Sequence, residues 1–146
     1  MEISLAPMTE KDIPFIAELE RECFSLPWTE KGLREELTNE NAVFFTAQKN
    51  GRAVGYMGMH CVLDECYIAN IAVSKDERRQ GTGRKLLHYA EERAKERGCS
   101  FISLEVRVSN ESAIGLYTSE GYERMGERKN FYSAPTENAL IMTKYI

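Results

Sequence analysis

The sequence lacks the features that would place it in several broad classes of protein. No apolar run approaches the about 20 residues that a membrane-spanning helix needs, and the first residues are neither basic nor apolar enough for a secretory signal. We therefore expect a cytoplasmic protein that does not enter a membrane. There is also no repeat, no low-complexity tract and no Pro-, Gly- or Ser-rich linker, which predicts a single domain over residues 1–146.

Cysteine and histidine are too few and too scattered to indicate a metal centre. The 4 cysteines form no Cys-x-x-Cys pair, and the 2 histidines do not complete a ligand pattern, so we expect no metal. Cys61 and Cys66 flank a predicted turn and could face each other across a hairpin. A cytoplasmic location nevertheless favours reduced thiols over a functional disulfide.

An excess of basic charge is absent as well. The chain has 19 basic and 23 acidic residues and a net charge of -4, which argues against binding to nucleic acid through electrostatics. Hydrophobic residues make up 42% of the chain, which is enough for a core.

Apolar periodicity and turn residues predict the order helix, helix, three strands joined by hairpins, helix, strand, helix and two strands. Thr29 and Asn110 are placed to cap the second and the last helix, and Asn50-Gly51 suits a tight hairpin turn. The strands at 67–73 and 100–108 are joined by a helix that opens near Gly83 and ends at Gly98. They should therefore be parallel neighbours in a mixed α/β sheet with helices packed on it.

A glycine-rich turn, Arg78-Arg79-Gln80-Gly81-Thr82-Gly83, links the third strand to the third helix. It is not a nucleotide P-loop, because Lys85 is followed by Leu86, and Leu86 also replaces the third glycine of a dinucleotide fingerprint. Free backbone N–H groups at a helix start, with basic neighbours such as Arg84, suit a pyrophosphate. The alternative is an ordinary glycine turn with a solvated basic patch.

Glu105 and Tyr117 are the candidate chemical groups. Alternation places Glu105 on the face of its strand opposite the apolar Leu104 and Val106, so its carboxylate is either functional or simply solvated or paired with Arg107. Tyr117 lies at a helical spacing that is by itself typical of a core aromatic.

Taken together, these segments strongly resemble the GNAT superfamily of acetyltransferases. The resemblance spans the whole chain through Asn70-Ile71-Ala72-Val73, the glycine turn, Leu104-Glu105-Val106-Arg107 and the stretch from Asn110 to Tyr122. It implies a mixed, mostly antiparallel sheet with a central, splayed parallel strand pair and helices packed on both faces. It also implies an enzyme with acetyl-CoA as co-substrate and no metal.

The resemblance also implies a role for each matching position. Glu105 would be the general base, Tyr117 the general acid, and the amide of Val73 would polarise the acetyl carbonyl. The residues that would contact acetyl-CoA are Ile71, Ala72 and Val73 along the pantetheine arm, Arg79, Gln80, Gly81, Thr82, Gly83 and Arg84 at the pyrophosphate, and Asn110.

Residues 24–29, 104–107 and 128–132 are similar to the branch of this family that acetylates the N-terminal alanine of the eighteenth small-subunit ribosomal protein. This similarity implies a protein N-terminus as acceptor, walled by Trp28 and Tyr132, and a monomer or weak dimer. A plain core role is the alternative for Trp28, and Phe131 stands where many relatives carry tyrosine. Other N-termini, lysines or small amines as acceptors, and a non-catalytic acyl-CoA-binding module, are the alternative functions.

Overall fold

The computed structural model describes residues 2–146, which form one seven-stranded sheet in the order β1-β2-β3-β4-β5-β7-β6. All neighbouring strands are antiparallel except β4 and β5, which are parallel, so the predicted mixed and mostly antiparallel sheet is confirmed. The strands are β1 Ser4–Pro7, β2 Ala42–Lys49, β3 Arg52–Val62, β4 Glu65–Val73, β5 Phe101–Arg107, β6 Glu123–Tyr132 and β7 Glu137–Tyr145.

Four α-helices pack on this sheet: α1 Ile13–Cys23, α2 Glu30–Glu36, α3 Thr82–Glu96 and α4 Glu111–Ser119. Thr29 and Asn110 cap α2 and α4, as predicted. The Thr29 hydroxyl accepts a hydrogen bond from the Gly32 N–H, and the Asn110 side chain accepts one from the Ala113 N–H. Strand β1 was not predicted, because four residues are too short for a periodicity to be visible. None of the helices in residues 2–146 is long and apolar enough to cross a membrane.

The helices divide the core into two clusters on opposite faces of the sheet. One cluster contains Leu86, Leu87 and Ala90 of α3 together with Ile102 of β5. The other contains residues of α1 and α2 packed against β2 and β3, including Ile13, Ile16, Leu33, Phe44 and Tyr56. The predicted packing of helices on both faces of the sheet is therefore confirmed.

Strands β4 and β5 stay together over only a short distance. Their paired residues are Glu65 with Phe101, Cys66 with Ile102 and Tyr67 with Ser103. Beyond them the two strands separate, as the resemblance implied.

A bulge lies on β4 where the separation begins. Met59 of β3 pairs with Ile68 and Gly58 pairs with Asn70, so Ala69 is the extra residue. Because one extra residue inverts the alternation of side chains, Ile68 and Ile71 pack on the α3 face, whereas Ala72 packs on the α1 face.

Candidate active site

The gap between the diverging strands opens into a groove of about 890 Å³. Its walls come from the second half of β4, the second half of β5, the glycine turn and the start of α4. Phe24, in the loop after α1, and Tyr132, at the end of β6, close one side. The groove therefore joins most of the segments that carried the sequence prediction.

The edge of β4 that faces the groove presents free backbone groups. The N–H of Ser74 donates to the carbonyl of Val54 at 2.8 Å, so every second residue of β4 up to this point bonds to β3. The backbone groups of Ile71 and Val73 point the other way, towards the groove. The Val73 carbonyl accepts a hydrogen bond from Nε of Arg78 at 3.1 Å, and by the same alternation the Val73 N–H points into the groove.

The glycine turn places the start of α3 at one end of the groove. Arg79 and Gly81 adopt left-handed conformations, with φ of 63° and 83°, which fold the chain tightly before the helix begins. The N–H groups of the first helical turn have no partner within the helix, and they lie at the positive end of its dipole. Arg79, Gly81, Gly83 and Arg84 all line the groove.

Gln80 and Thr82 belong to the same turn, but their side chains lie outside the groove. The amide of Gln80 donates to the carbonyl of Asp76 at 3.2 Å and accepts from Lys49 at 3.5 Å. Thr82 is buried, and its hydroxyl has no hydrogen-bond partner among the described residues. Any contact these two residues make with a molecule in the groove would therefore come from the main chain.

Glu105 projects from β5 into the groove, and its side chain is 28% exposed. Its ion-pair partner is Arg128 of β6, whose Nε lies 3.1 Å from Oε2 of Glu105. The pairing with Arg107 that the sequence left open does not occur, because Arg107 pairs with Glu137 at 3.1 Å instead. The carboxylate thus combines access to the groove with a solvent-exposed cationic partner.

Tyr117 lies on the opposite wall, on α4, and is only 5% exposed. Its ring packs against Tyr122 with 5.8 Å between centroids, and within residues 2–146 its hydroxyl has no hydrogen-bond partner. Burial, and to a smaller extent Tyr132, raises the pKa of this phenol above its ordinary value of 10. At neutral pH the Tyr117 phenol is therefore protonated.

The remaining predicted residues differ in how closely they approach the groove. Asn110 and Tyr132 line it, and burial, reinforced by Glu105, raises the pKa of Tyr132 to about 12. Trp28 does not line it: its ring packs edge-on against Phe44 with 5.6 Å between centroids. The residue of that loop that reaches the groove is Phe24.

A buried carboxylate close to the groove was missed at the sequence level. Glu20 of α1 is fully buried, and its carboxylate accepts hydrogen bonds from the Tyr56 hydroxyl, the Asn70 amide at 2.9 Å and the Trp28 N–H at 2.9 Å. Burial raises the pKa of Glu20 above 4.5, although these hydrogen bonds oppose the rise. The available signal was an acidic residue on the apolar stripe that begins at Ile13.

Comparison with known proteins identifies the same fold and family. The model of the acetyltransferase (GNAT) family matches residues 13–122. A Bacillus subtilis protein, whose name assigns ribosomal protein bS18-alanine N-acetyltransferase activity provisionally, is 40% identical over 92% of this chain and 90% of its own length. The ribosomal protein bS18-alanine N-acetyltransferase of Escherichia coli K12 is 34% identical over 95% of both chains.

Solved structures agree with these matches. The crystal structure of the Escherichia coli ribosomal-protein-S18-alanine N-acetyltransferase has a TM-score of 0.89 at 33% identity and covers 99% of this chain and 94% of that one. Ard1 from Thermoplasma volcanium has a TM-score of 0.90 at 23% identity, covers 100% of this chain and 99% of that one, and thus shares the fold.

Proposed function

This chain belongs to the GNAT acetyltransferase family and is an acetyl-CoA-dependent N-acetyltransferase, and we propose that its acceptor is the N-terminal alanine of ribosomal protein bS18. The observation that carries this proposal is the similarity to enzymes of that specificity along nearly the whole chain. It includes the segments on the acceptor side of the groove, and not only those around the glycine turn.

We propose that the groove holds acetyl-CoA, with the main chain of residues 79–84 at its diphosphate. The groove fits this molecule, because the N–H groups of the turn and the guanidinium group of Arg79 are suited to an anion. The Nε of Arg84 pairs with Glu120 at 2.6 Å, so its terminal nitrogens would be the ones to reach the diphosphate. Gln80 and Thr82 would contribute through their N–H groups. Ile71, Ala72 and Val73 would follow the pantetheine arm along the free edge of β4, and Asn110 would contact it from the opposite wall.

The groups on the two walls fit the proton transfers that the reaction requires. Acetyl-CoA supplies an acetyl thioester. An α-ammonium group has a pKa near about 8 and must lose a proton before its nitrogen can attack, and Glu105 would accept that proton, directly or through a water. Tyr117, whose buried phenol is protonated at neutral pH, would give its proton to the departing sulfur. The free N–H of Val73 would donate to the carbonyl oxygen.

The acceptor would enter past Tyr132 and Phe24, which close the side of the groove next to Glu105. Trp28 is proposed to support this wall from behind rather than to touch the acceptor, since it packs on Phe44. All of these residues come from one chain, and residues 1–146 would act as a single domain. The proposed reaction therefore requires no more than a monomer or a weak dimer.

The acceptor assignment is tested with two peptides and acetyl-CoA, followed by mass spectrometry. One peptide has the free N-terminal alanine of bS18, and the other has a blocked N-terminus and an internal lysine. We expect acetylation of the first alone, and Glu105→Gln should bind acetyl-CoA in calorimetry but transfer little. Acetylation of only the lysine peptide would reject the α-amine. Binding without transfer to any acceptor would indicate a non-catalytic module.

A further inference from the structure

The guanidinium group of Arg107, at the end of β5, is the centre of an unusual set of contacts. Its side chain is 25% exposed, and its two terminal nitrogens donate to four oxygens at 2.9–3.4 Å. Nη1 donates to the Pro135 carbonyl at 2.9 Å and to Glu137 at 3.1 Å, and Nη2 donates to the Ser133 carbonyl at 3.2 Å and to the Ser25 hydroxyl at 3.4 Å.

These partners belong to two segments that are far apart in the sequence. Ser133 and Pro135 lie in the turn between β6 and β7, and Glu137 is the first residue of β7, whereas Ser25 lies in the loop between α1 and α2. The Ser25 hydroxyl also donates to the Ser133 carbonyl at 3.3 Å. One guanidinium and one hydroxyl thus tie the two segments together over β5.

The same two segments supply the side of the groove next to Glu105. Phe24 precedes Ser25, and Tyr132 precedes Ser133, and both aromatic residues line the groove. The guanidinium of Arg107 also stacks on the Tyr132 ring, with 4.5 Å between Cζ and the ring centroid. We call Phe24, Ser25, Tyr132 and Ser133 the acceptor mouth.

We propose that Arg107 is a positioning residue that fixes the width of the acceptor mouth and thereby controls the binding of a polypeptide acceptor. This inference rests on the proposed function. A planar guanidinium suits the task, because its fork can satisfy several carbonyl oxygens at once while its face stacks on an aromatic ring. Lysine could make only part of this set.

The charge partner of Arg107 is itself held in place from outside the groove. Glu137 accepts a hydrogen bond from the Ser109 N–H at 2.7 Å, and Glu137 does not line the groove. The hydrogen bonds from Ser109, together with those from Arg107, hold the pKa of Glu137 below its ordinary range. Ser25 is likewise absent from the lining of the groove. Changes at Glu137 and Ser25 therefore probe the linkage without removing a side chain that lines the groove.

The test measures steady-state kinetics of Arg107→Gln, Arg107→Lys, Glu137→Gln and Ser25→Ala with a peptide that the wild-type enzyme acetylates. For Arg107→Gln we expect the peptide KM to rise about tenfold or more, which corresponds to the loss of one charge-assisted hydrogen bond. Its kcat and its calorimetric affinity for acetyl-CoA should each change by less than about threefold. The reason is that a misplaced acceptor mouth weakens binding of the peptide equally in the ground state and in the transition state.

The partner variants separate positioning from direct contact. Glu137→Gln and Ser25→Ala should raise the peptide KM in the same direction by a smaller factor, and Arg107→Lys should fall between Arg107→Gln and wild type. Adding Ser25→Ala to Arg107→Gln should produce little further change, because both substitutions break the same linkage. A small amine that does not span the mouth should show little change in KM.

Three outcomes would overturn the inference. These are an unchanged peptide KM with a lowered kcat, a parallel loss of acetyl-CoA affinity, and an effect of Arg107→Gln that neither Glu137→Gln nor Ser25→Ala shares. If Arg107→Gln fails to fold, the two partner variants still decide the question. Failure of the proposed function would be visible separately, as wild-type enzyme that prefers another acceptor.

Discussion

Replacing Tyr117 by phenylalanine separates catalysis from stability unusually well at this site. The ring that packs against Tyr122 is kept, and the hydroxyl that is lost has no hydrogen-bond partner among residues 2–146. Removing a hydroxyl without breaking a hydrogen bond leaves no orphaned partner behind. We therefore expect the free energy of unfolding in urea to change by no more than about 0.5 kcal/mol.

The effect on turnover should be far larger. If Tyr117 protonates the departing sulfur, its loss removes a general acid, which typically contributes about 10²- to 10⁴-fold in rate. That factor corresponds to about 3–5 kcal/mol of barrier at 1.36 kcal/mol per tenfold. The assay is the release of free thiol from acetyl-CoA at saturating peptide, combined with calorimetric measurement of acetyl-CoA affinity, which should be nearly unchanged.

Tyr122 provides a matched control for this substitution. Its ring is the other half of the same aromatic pair, and its hydroxyl is also buried without a partner in the described chain, but it does not line the groove. Tyr122→Phe should therefore leave turnover within about threefold of wild type. Turnover of Tyr117→Phe within the same range would refute the proton-donor role. An equal loss in both variants would mean that packing, not proton transfer, is responsible.

Two further predictions concern the framework of the site. Gly58→Ala would place a Cβ 2.4 Å from the Phe44 ring, so we expect the free energy of unfolding in urea to fall by about 1–3 kcal/mol. Gly115→Ala on α4 has nothing within 4 Å of the added Cβ and should cause no loss, and equal losses in both variants would contradict the steric argument. Burial raises the pKa of Glu20 above 4.5, so above that pH the native state binds this proton more strongly than the unfolded chain does. The free energy of unfolding of the wild type should therefore fall as the pH rises above 4.5. Glu20→Gln cannot titrate, so its stability relative to wild type should improve from pH 4.5 to 7, and a difference independent of pH would contradict this.

The features that the sequence predicted correctly are those that depend on neighbouring residues. Thr29 and Asn110 cap their helices because the hydroxyl or amide oxygen is within reach of an N–H three residues ahead. The Asn50-Gly51 turn requires only two positive φ angles, and the structure has 56° and 74°. Alternation alone places Leu104 and Val106 in the core, and with them it directs Glu105 towards the groove.

The features that were missed depend on residues that are distant in the sequence. The bulge at Ala69 reverses the alternation of β4 and places Asn70 where its amide reaches Glu20, which is 50 residues away along the chain. Read as an uninterrupted strand, β4 would place Asn70 on the opposite face. The carboxylate of Glu20 is tolerated in the core because Tyr56, Asn70 and the Trp28 N–H all donate hydrogen bonds to it. No pattern of neighbouring residues in the sequence predicts that these three donors meet.

The partners of Glu105 and Arg107 show how the two kinds of information combine. Both residues share one face of β5, which made them candidates for an ion pair, yet each takes its ionic partner from a segment that is distant in the sequence. Arg107 pairs with Glu137 at the start of β7 and with the turn before it, while Arg128 reaches Glu105 from β6, the strand beyond β7.

This exchange of partners matters for the chemistry. The Arg128 side chain is 58% exposed, and such solvent-screened pairs typically contribute only about 0–1 kcal/mol, so this ion pair restrains the Glu105 side chain only weakly. An Arg107 paired with Glu105 would instead give up its hydrogen bonds to Ser25, Ser133 and Pro135. Strand β5 thus carries the proposed base, Glu105, and an arginine two residues away, and each takes its ionic partner from another strand.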